Sequence, residues 1–141
     1  MQFLSEEMIY QKTSQELTAL LYEACLDNLE SAISHINQKQ FMEANKKLQN
    51  ANDILQRLGV GLKYEAGIVA DQLDALYNYM ADRVIEANVT KNVETINEVI
   101  SVLTTITSSW NEALKKKEHA AKLGLRKKAA AYEQHVMISP E

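Results

Sequence analysis

Apolar side chains recur along this chain mostly at steps of three and four residues, the interval that returns to one face of an α-helix, and they do so in four separate stretches. The first holds Leu17, Leu20, Leu21, Ala24, Leu29, Ala32, Ile33 and Ile36, with Glu23, Asp27, Asn28 and Glu30 on the polar side. Thr13-Ser14-Gln15-Glu16 ahead of it has the form of a capping box, and the helix is expected to end near Gln38. The second stretch, Phe41, Ala44, Leu48, Ala51, Leu55 and Leu58, is a narrow seam suited to near-parallel neighbours, with Gly59 placed as a left-handed C-terminal cap. Gly61 and Gly67 bracket a link. Beyond it Val69, Leu73, Leu76, Met80, Val84 and Ala87 form the inner stripe of a third helix, which Asn88 is expected to stop. Asn92 then fits an N-cap, Glu94 complements the dipole of the first turn, and Ile96, Val99, Leu103, Ile106, Trp110 and Leu114 form the fourth seam.

Helices of ~20 residues are ~30 Å long, and short links make antiparallel neighbours the simplest assembly. The pattern therefore predicts an all-α fold, an antiparallel up-down four-helix bundle. It would have a short N-terminal segment over residues 1–12, the bundle over 13–114, and a basic, partly helical or disordered tail over 115–141. Composition agrees: 4 Gly and 1 Pro among 141 residues leave too little turn chemistry for a sandwich or barrel.

Charge separates the tail from the bundle. Residues 1–114 hold 8 basic and 16 acidic side chains, net −8, whereas 115–128 carry +6 and 129–141 carry −2, which gives the overall −4. No uninterrupted hydrophobic run exceeds four residues, far short of the ~20 that span a bilayer, so no membrane insertion is expected. The acidic opening Met1-Gln2-Phe3-Leu4-Ser5-Glu6-Glu7 has no signal-peptide pattern, and the chain is expected to be cytoplasmic.

Catalytic chemistry finds no foothold. His35, His119 and His135 have no carboxylate three residues before them, which disfavours the Glu-x-x-His metal sites of helical bundles. Cys25 is alone, so no thiolate cluster or internal disulfide is available, and it suits a small packed hydrophobe. There is no glycine-rich phosphate loop and no nucleophile elbow. The expectation is a protein that is not an enzyme and has neither metal nor cofactor. The basic stretch lacks interleaved aromatic residues and follows an acidic bundle, so no nucleic-acid partner is expected either.

The third helix is apolar on more than one side, since Ile68, Ala75, Tyr77, Tyr79 and Ile85 lie beyond its inner stripe. Neighbours on a helix are 100° apart, so Leu76, Tyr77, Tyr79 and Met80 cannot all enter one seam, and a rim groove for a partner helix is one outcome. Glu16-Leu17-Thr18-Ala19-Leu20-Leu21-Tyr22-Glu23-Ala24-Cys25-Leu26 resembles the E-L-x-x-x-L-Y-x-G-x-x of the FliS flagellar export chaperones. Gly67-Ile68-Val69-Ala70, Leu73, Leu76-Tyr77-Asn78-Tyr79-Met80, Arg83 and Glu86-Ala87-Asn88 are similar to that family's third-helix string G-x-I-A-x-x-L-x-x-L-Y-x-Y-M-x-x-R-L-x-x-A-N, with one spacing difference at Ile68-Val69. Trp110 falls where the family tends to have a late tryptophan. The resemblance covers about residues 8 to 114. Ser14 stands where the family usually has Pro, Ala24 where it has Gly, and Phe3 and Leu4 where it commonly has a groove-covering tyrosine.

The resemblance implies an ATP-independent chaperone that binds the C-terminal segment of flagellin, keeps it from polymerising, and delivers it to the cytosolic domain of the flagellar export-gate protein. Groove residues by the same resemblance are Leu17, Leu21, Tyr22, Ile68, Leu73, Leu76, Tyr77, Tyr79, Met80 and Arg83. Phe3, Leu4, Ile9 and Tyr10 would belong to an N-terminal segment that covers the groove. The alternative is a helical-bundle adaptor that scaffolds other proteins or self-associates through the same rim, and a weak homodimer fits either case.

Overall fold

The computed structural model describes residues 6–62 and 68–138, with side chains described for 14–62 and 70–133. Four helices follow in order: α1 (Glu6–Asn37), α2 (Phe41–Gly61), α3 (Ile68–Thr90) and α4 (Val93–Ile138), and no strand occurs among the described residues. The expected all-α bundle is what the chain forms. It divides into two compact units, Met1–Thr107 and Ser108–Glu141.

In the first unit each helix contributes one buried stripe. Tyr22, Cys25, Leu29 and Ala32 come from α1; Ala44, Leu48, Ala51, Leu55 and Leu58 from α2; Ala70, Tyr77, Met80, Val84 and Ala87 from α3; and Ile96, Val99, Leu103 and Ile106 from α4. Pairings between helices fix their directions. Cys25 Sγ lies 3.7 Å from the Ala51 carbonyl and Asn50 Nδ2 lies 3.4 Å from Asn28 Oδ1, so residue numbers rise on α1 as they fall on α2. Asn88 Nδ2 donates to Asn45 Oδ1 at 2.7 Å, and a Cβ added at Gly59 would lie 3.7 Å from Asp74 Oδ1, so α2 and α3 are antiparallel too. Arg83 on α3 reaches Glu98 on α4.

The α1–α2 link shows how a turn forms without glycine. Lys39 sits in the left-handed region at φ 61°, Lys39 N donates to the Ile36 carbonyl at 2.9 Å, and Gln40 N donates to the His35 carbonyl at 2.8 Å. These are the two bonds of a Schellman closure with lysine where glycine is usual. His35 Nδ1 and Gln40 Oε1 share a further bond at 2.6 Å.

Several sequence expectations shift. Thr13-Ser14-Gln15-Glu16 does not begin α1, which starts at Glu6; Thr18 Oγ1 instead donates to the Ser14 carbonyl at 3.1 Å. No Gly or Pro interrupts residues 6–37, and extending an existing helix costs far less than nucleating a new one. Gly59 is helical rather than a left-handed cap: α2 runs on to Gly61, and Leu62, at φ −68°, closes it by donating to the Gly59 and Val60 carbonyls. Asn88 does not stop α3. Its side chain is held by Asn45 and by Lys91 Nζ, the latter at 2.6 Å, and the helix ends at Thr90 before Lys91 at φ 53°. The Asn92 cap does form, with Glu94 N donating to Asn92 Oδ1 at 2.9 Å.

The buried seams also move by one residue in places. Phe41 is exposed although the rest of its stripe is buried, and Leu17 and Leu20 are exposed on α1. On α3 the seam is Ala70, Leu73, Tyr77, Met80, Val84 and Ala87, which steps 3-4-3-4-3, so Tyr77 takes the interior place expected of Leu76. Val69 lies outside the described side chains.

Candidate functional site

The residues expected to line a groove sort by depth. Tyr22 and Tyr77 are buried, and their phenol oxygens lie 2.5 Å apart with ring centroids at 6.3 Å and planes tilted by 50°. Met80 is fully buried. A buried phenol requires a hydrogen-bonding partner, and here one tyrosine supplies it to the other, which allows a polar atom at the centre of an apolar seam. These three side chains are the floor beneath the surface and not its walls.

Above that floor, large apolar side chains stay in reach of solvent. Leu17 is 53% exposed and Leu20 65% on α1, and Leu76 is 37% and Tyr79 47% exposed on α3. Leu21 and Leu73 are half-buried. Leu21 precedes Tyr22 and Leu76 precedes Tyr77, so the Tyr22–Tyr77 contact sets Leu21 and Leu76 at about the same level along the bundle.

Arg83 closes this region toward α4. Its Nη1 donates to Glu86 Oε2 at 2.7 Å and its Nη2 to Glu98 Oε2 at 2.5 Å. The Glu98 hydrogen bond is the main cause that holds the guanidinium pKa above its ordinary value, and the charge of Glu86 adds to it. The arginine therefore stays a cation tied between two helices. Ile68 lies outside the described side chains, as do Ile9 and Tyr10, although the backbone of all three is helical. Phe3 and Leu4 lie outside the described residues altogether.

A cleft that the sequence reading missed runs between α2 and α3. It has a volume of about 240 Å³ and is lined by Asn45, Gln49, Asn52 and Asn88 together with Ile85 and Val89. The available signal was the row of amides at 45, 49 and 52, which recurs at helical spacing. Cys25 contributes no reactive thiol: burial pushes its pKa up to about 12. No group of three or more His, Cys, Asp or Glu among the described residues could hold a metal, and no helix there is long and apolar enough to cross a membrane.

A model of the family described as flagellar protein FliS matches residues 2–117. The chain belongs to the FliS family. Among curated FliS-family proteins, the flagellar secretion chaperone FliS of Bacillus subtilis is 29% identical over 102 residues, which covers 72% of this chain and 76% of that protein. The flagellar secretion chaperone FliSB of Pseudomonas aeruginosa is 29% identical over 107 residues, 75% of this chain and 85% of that one. The flagellar secretion chaperone FliS of Escherichia coli is 27% identical over 111 residues, 77% and 82% of the two chains. The FliS match takes in α1 to α3 and the part of α4 up to residue 117.

Proposed function

We propose that this FliS-family chain is a cytoplasmic flagellar secretion chaperone that binds the C-terminal helical segment of flagellin and passes it to the cytosolic domain of the export-gate protein. The observation that supports the proposal is that α3 leaves Leu76 and Tyr79 exposed, as α1 leaves Leu17 and Leu20, in a chain whose family relatives are named as flagellar secretion chaperones.

Recognition would use the helix-in-groove mode. Apolar anchors of an amphipathic client segment leave water against the exposed leucines and Tyr79, at about 25 cal/mol per Å² of apolar surface removed, opposed by ~2–5 kcal/mol for ordering the client. Arg83 and its two glutamates offer a charged border. No covalent or nucleotide-driven step is involved, so release follows from competition at the export gate, and the function is equilibrium binding rather than turnover.

The test is a comparison of monomeric full-length flagellin with flagellin cut short of its C-terminal helical segment. Co-elution of the full-length protein in a one-to-one complex, and none of the truncated one, is the expected result. Equal binding of both would reject the assigned segment, and binding of neither would favour the adaptor role.

A further inference from the structure

Residues 115–128 carry seven basic side chains and one acidic, and the FliS match ends at residue 117, so binding of a client by the bundle leaves most of this stretch without a role. Every residue from Lys115 to Glu133 except Gly124 is exposed. Among the described residues the stretch makes one ion pair, Lys116 Nζ to Glu112 Oε1 at 3.7 Å.

Part of this charge is ordered into a stripe. Lys115, Lys122 and Arg126 stand at i, i+7 and i+11, which places them within ~40° of arc along ~16 Å of helix. α1 carries the same spacing in the opposite sign: Glu16, Glu23 and Asp27 also stand at i, i+7 and i+11, all three are exposed, and Glu30 continues the row. Glu23, Asp27 and Glu30 make no ion pair among the described residues.

We propose that the basic stripe of one copy docks on the acidic α1 stripe of a second copy. The two helices lie side by side and parallel, so that Lys115 faces Glu16, Lys122 faces Glu23 and Arg126 faces Asp27. Charge favours this occupant over a polyanion. The net −8 of residues 1–114 opposes any anionic partner, a second copy included, but a second copy also presents three exposed carboxylates in the register of Lys115, Lys122 and Arg126, which nucleic acid and a lipid surface do not. Leu20, between Glu16 and Glu23 and largely exposed, would be covered by the contact.

The experiment is sedimentation equilibrium on the full chain with two double variants, Lys122→Glu/Arg126→Glu and Glu23→Lys/Asp27→Lys. All four positions are exposed, and circular dichroism checks that the helices persist. Wild type is expected to self-associate at low ionic strength and to dissociate in high salt, as contacts between exposed charges are screened. Each variant alone should associate at least about tenfold more weakly. An equimolar mixture of the two should regain association, because the reversed basic stripe then meets the reversed acidic one. The proposal is overturned by a wild type that stays monomeric at low salt, by association indifferent to either reversal, or by a mixture that regains nothing. Binding of wild type to anionic vesicles or RNA in place of self-association would also overturn it.

Discussion

Replacing each buried tyrosine by phenylalanine tests the floor of the site. Tyr22→Phe and Tyr77→Phe keep both rings and their burial, so each change isolates one hydroxyl of a pair whose oxygens are 2.5 Å apart. A hydrogen bond contributes ~0.5–1.5 kcal/mol net, and removing one partner of a buried bond costs ~1–3 kcal/mol. Removing both partners with apolar groups of the same shape can be nearly neutral. Each single variant should therefore lose about 1.5 kcal/mol, and the double variant should lose clearly less than the sum, with a coupling of ~1 kcal/mol or more. Urea unfolding followed by circular dichroism gives the free energies, with an unchanged m value, and thermal midpoints should fall by roughly 3–6 °C in the single variants. Single effects that add to within ~0.3–0.5 kcal/mol would show that the two hydroxyls do not act on one another and would refute the buried pair.

Other tests address the turn, the cysteine and the N-terminus. Lys39→Gly should stabilise the chain by ~1 kcal/mol, since lysine occupies φ 61° there; a loss of stability in urea titrations would contradict the strained closure. Cys25 holds its proton to about pH 12 when folded, against 9.0 ordinarily, so between those values the unfolded chain binds fewer protons than the folded one. Stability should fall with rising pH in that window by up to ~1.4 kcal/mol per unit from this group, and a Cys25→Ala variant that showed the same slope would exclude the thiol as its source. Deleting residues 1–10 should raise client affinity or leave it unchanged if the N-terminal segment covers the groove, and a large loss in affinity would make the segment part of the site.

Much of the fold was legible because periodicity and burial agree. Leu48, Leu55, Ile96 and Leu103 fell inside as their spacing required. The errors concentrate where two residues compete for one position. Leu76 was expected inside on hydrophobicity, but Tyr77 keeps the 3-4 step and finds Tyr22 for its hydroxyl, a contact between residues 55 apart that no local pattern reveals. Leu17 and Leu20 follow the helical period yet precede Tyr22, the first strongly buried residue among the described side chains of α1, so periodicity marked a face and did not say what covers it. Glycine misled for a related reason: at Gly59 an intrinsic cost of ~1 kcal/mol was outweighed once α2 could continue to a right-handed closure at Leu62. Asn92 was read correctly because an N-cap bond is local and depends on one side chain.

Within the candidate site, residue identity alone could not separate floor from wall. Tyr22, Tyr77 and Tyr79 are chemically alike, and only the direction of α3 sends Tyr77 inward and leaves Tyr79 half exposed. That division makes the binding proposal specific to a surface.

The most direct measurement is titration calorimetry of the flagellin C-terminal helical segment into the wild-type chain at several temperatures, repeated with Tyr79→Ala. Tyr79 is exposed, so the variant should stay folded. Saturable one-to-one binding with a negative heat-capacity change, weakened about tenfold or more by the substitution, is the expected result, because loss of a large aromatic anchor typically costs more than ~1 kcal/mol. Absence of binding at tens of micromolar, or binding that Tyr79→Ala leaves unchanged, would contradict the placement of the client on the exposed apolar side of α3.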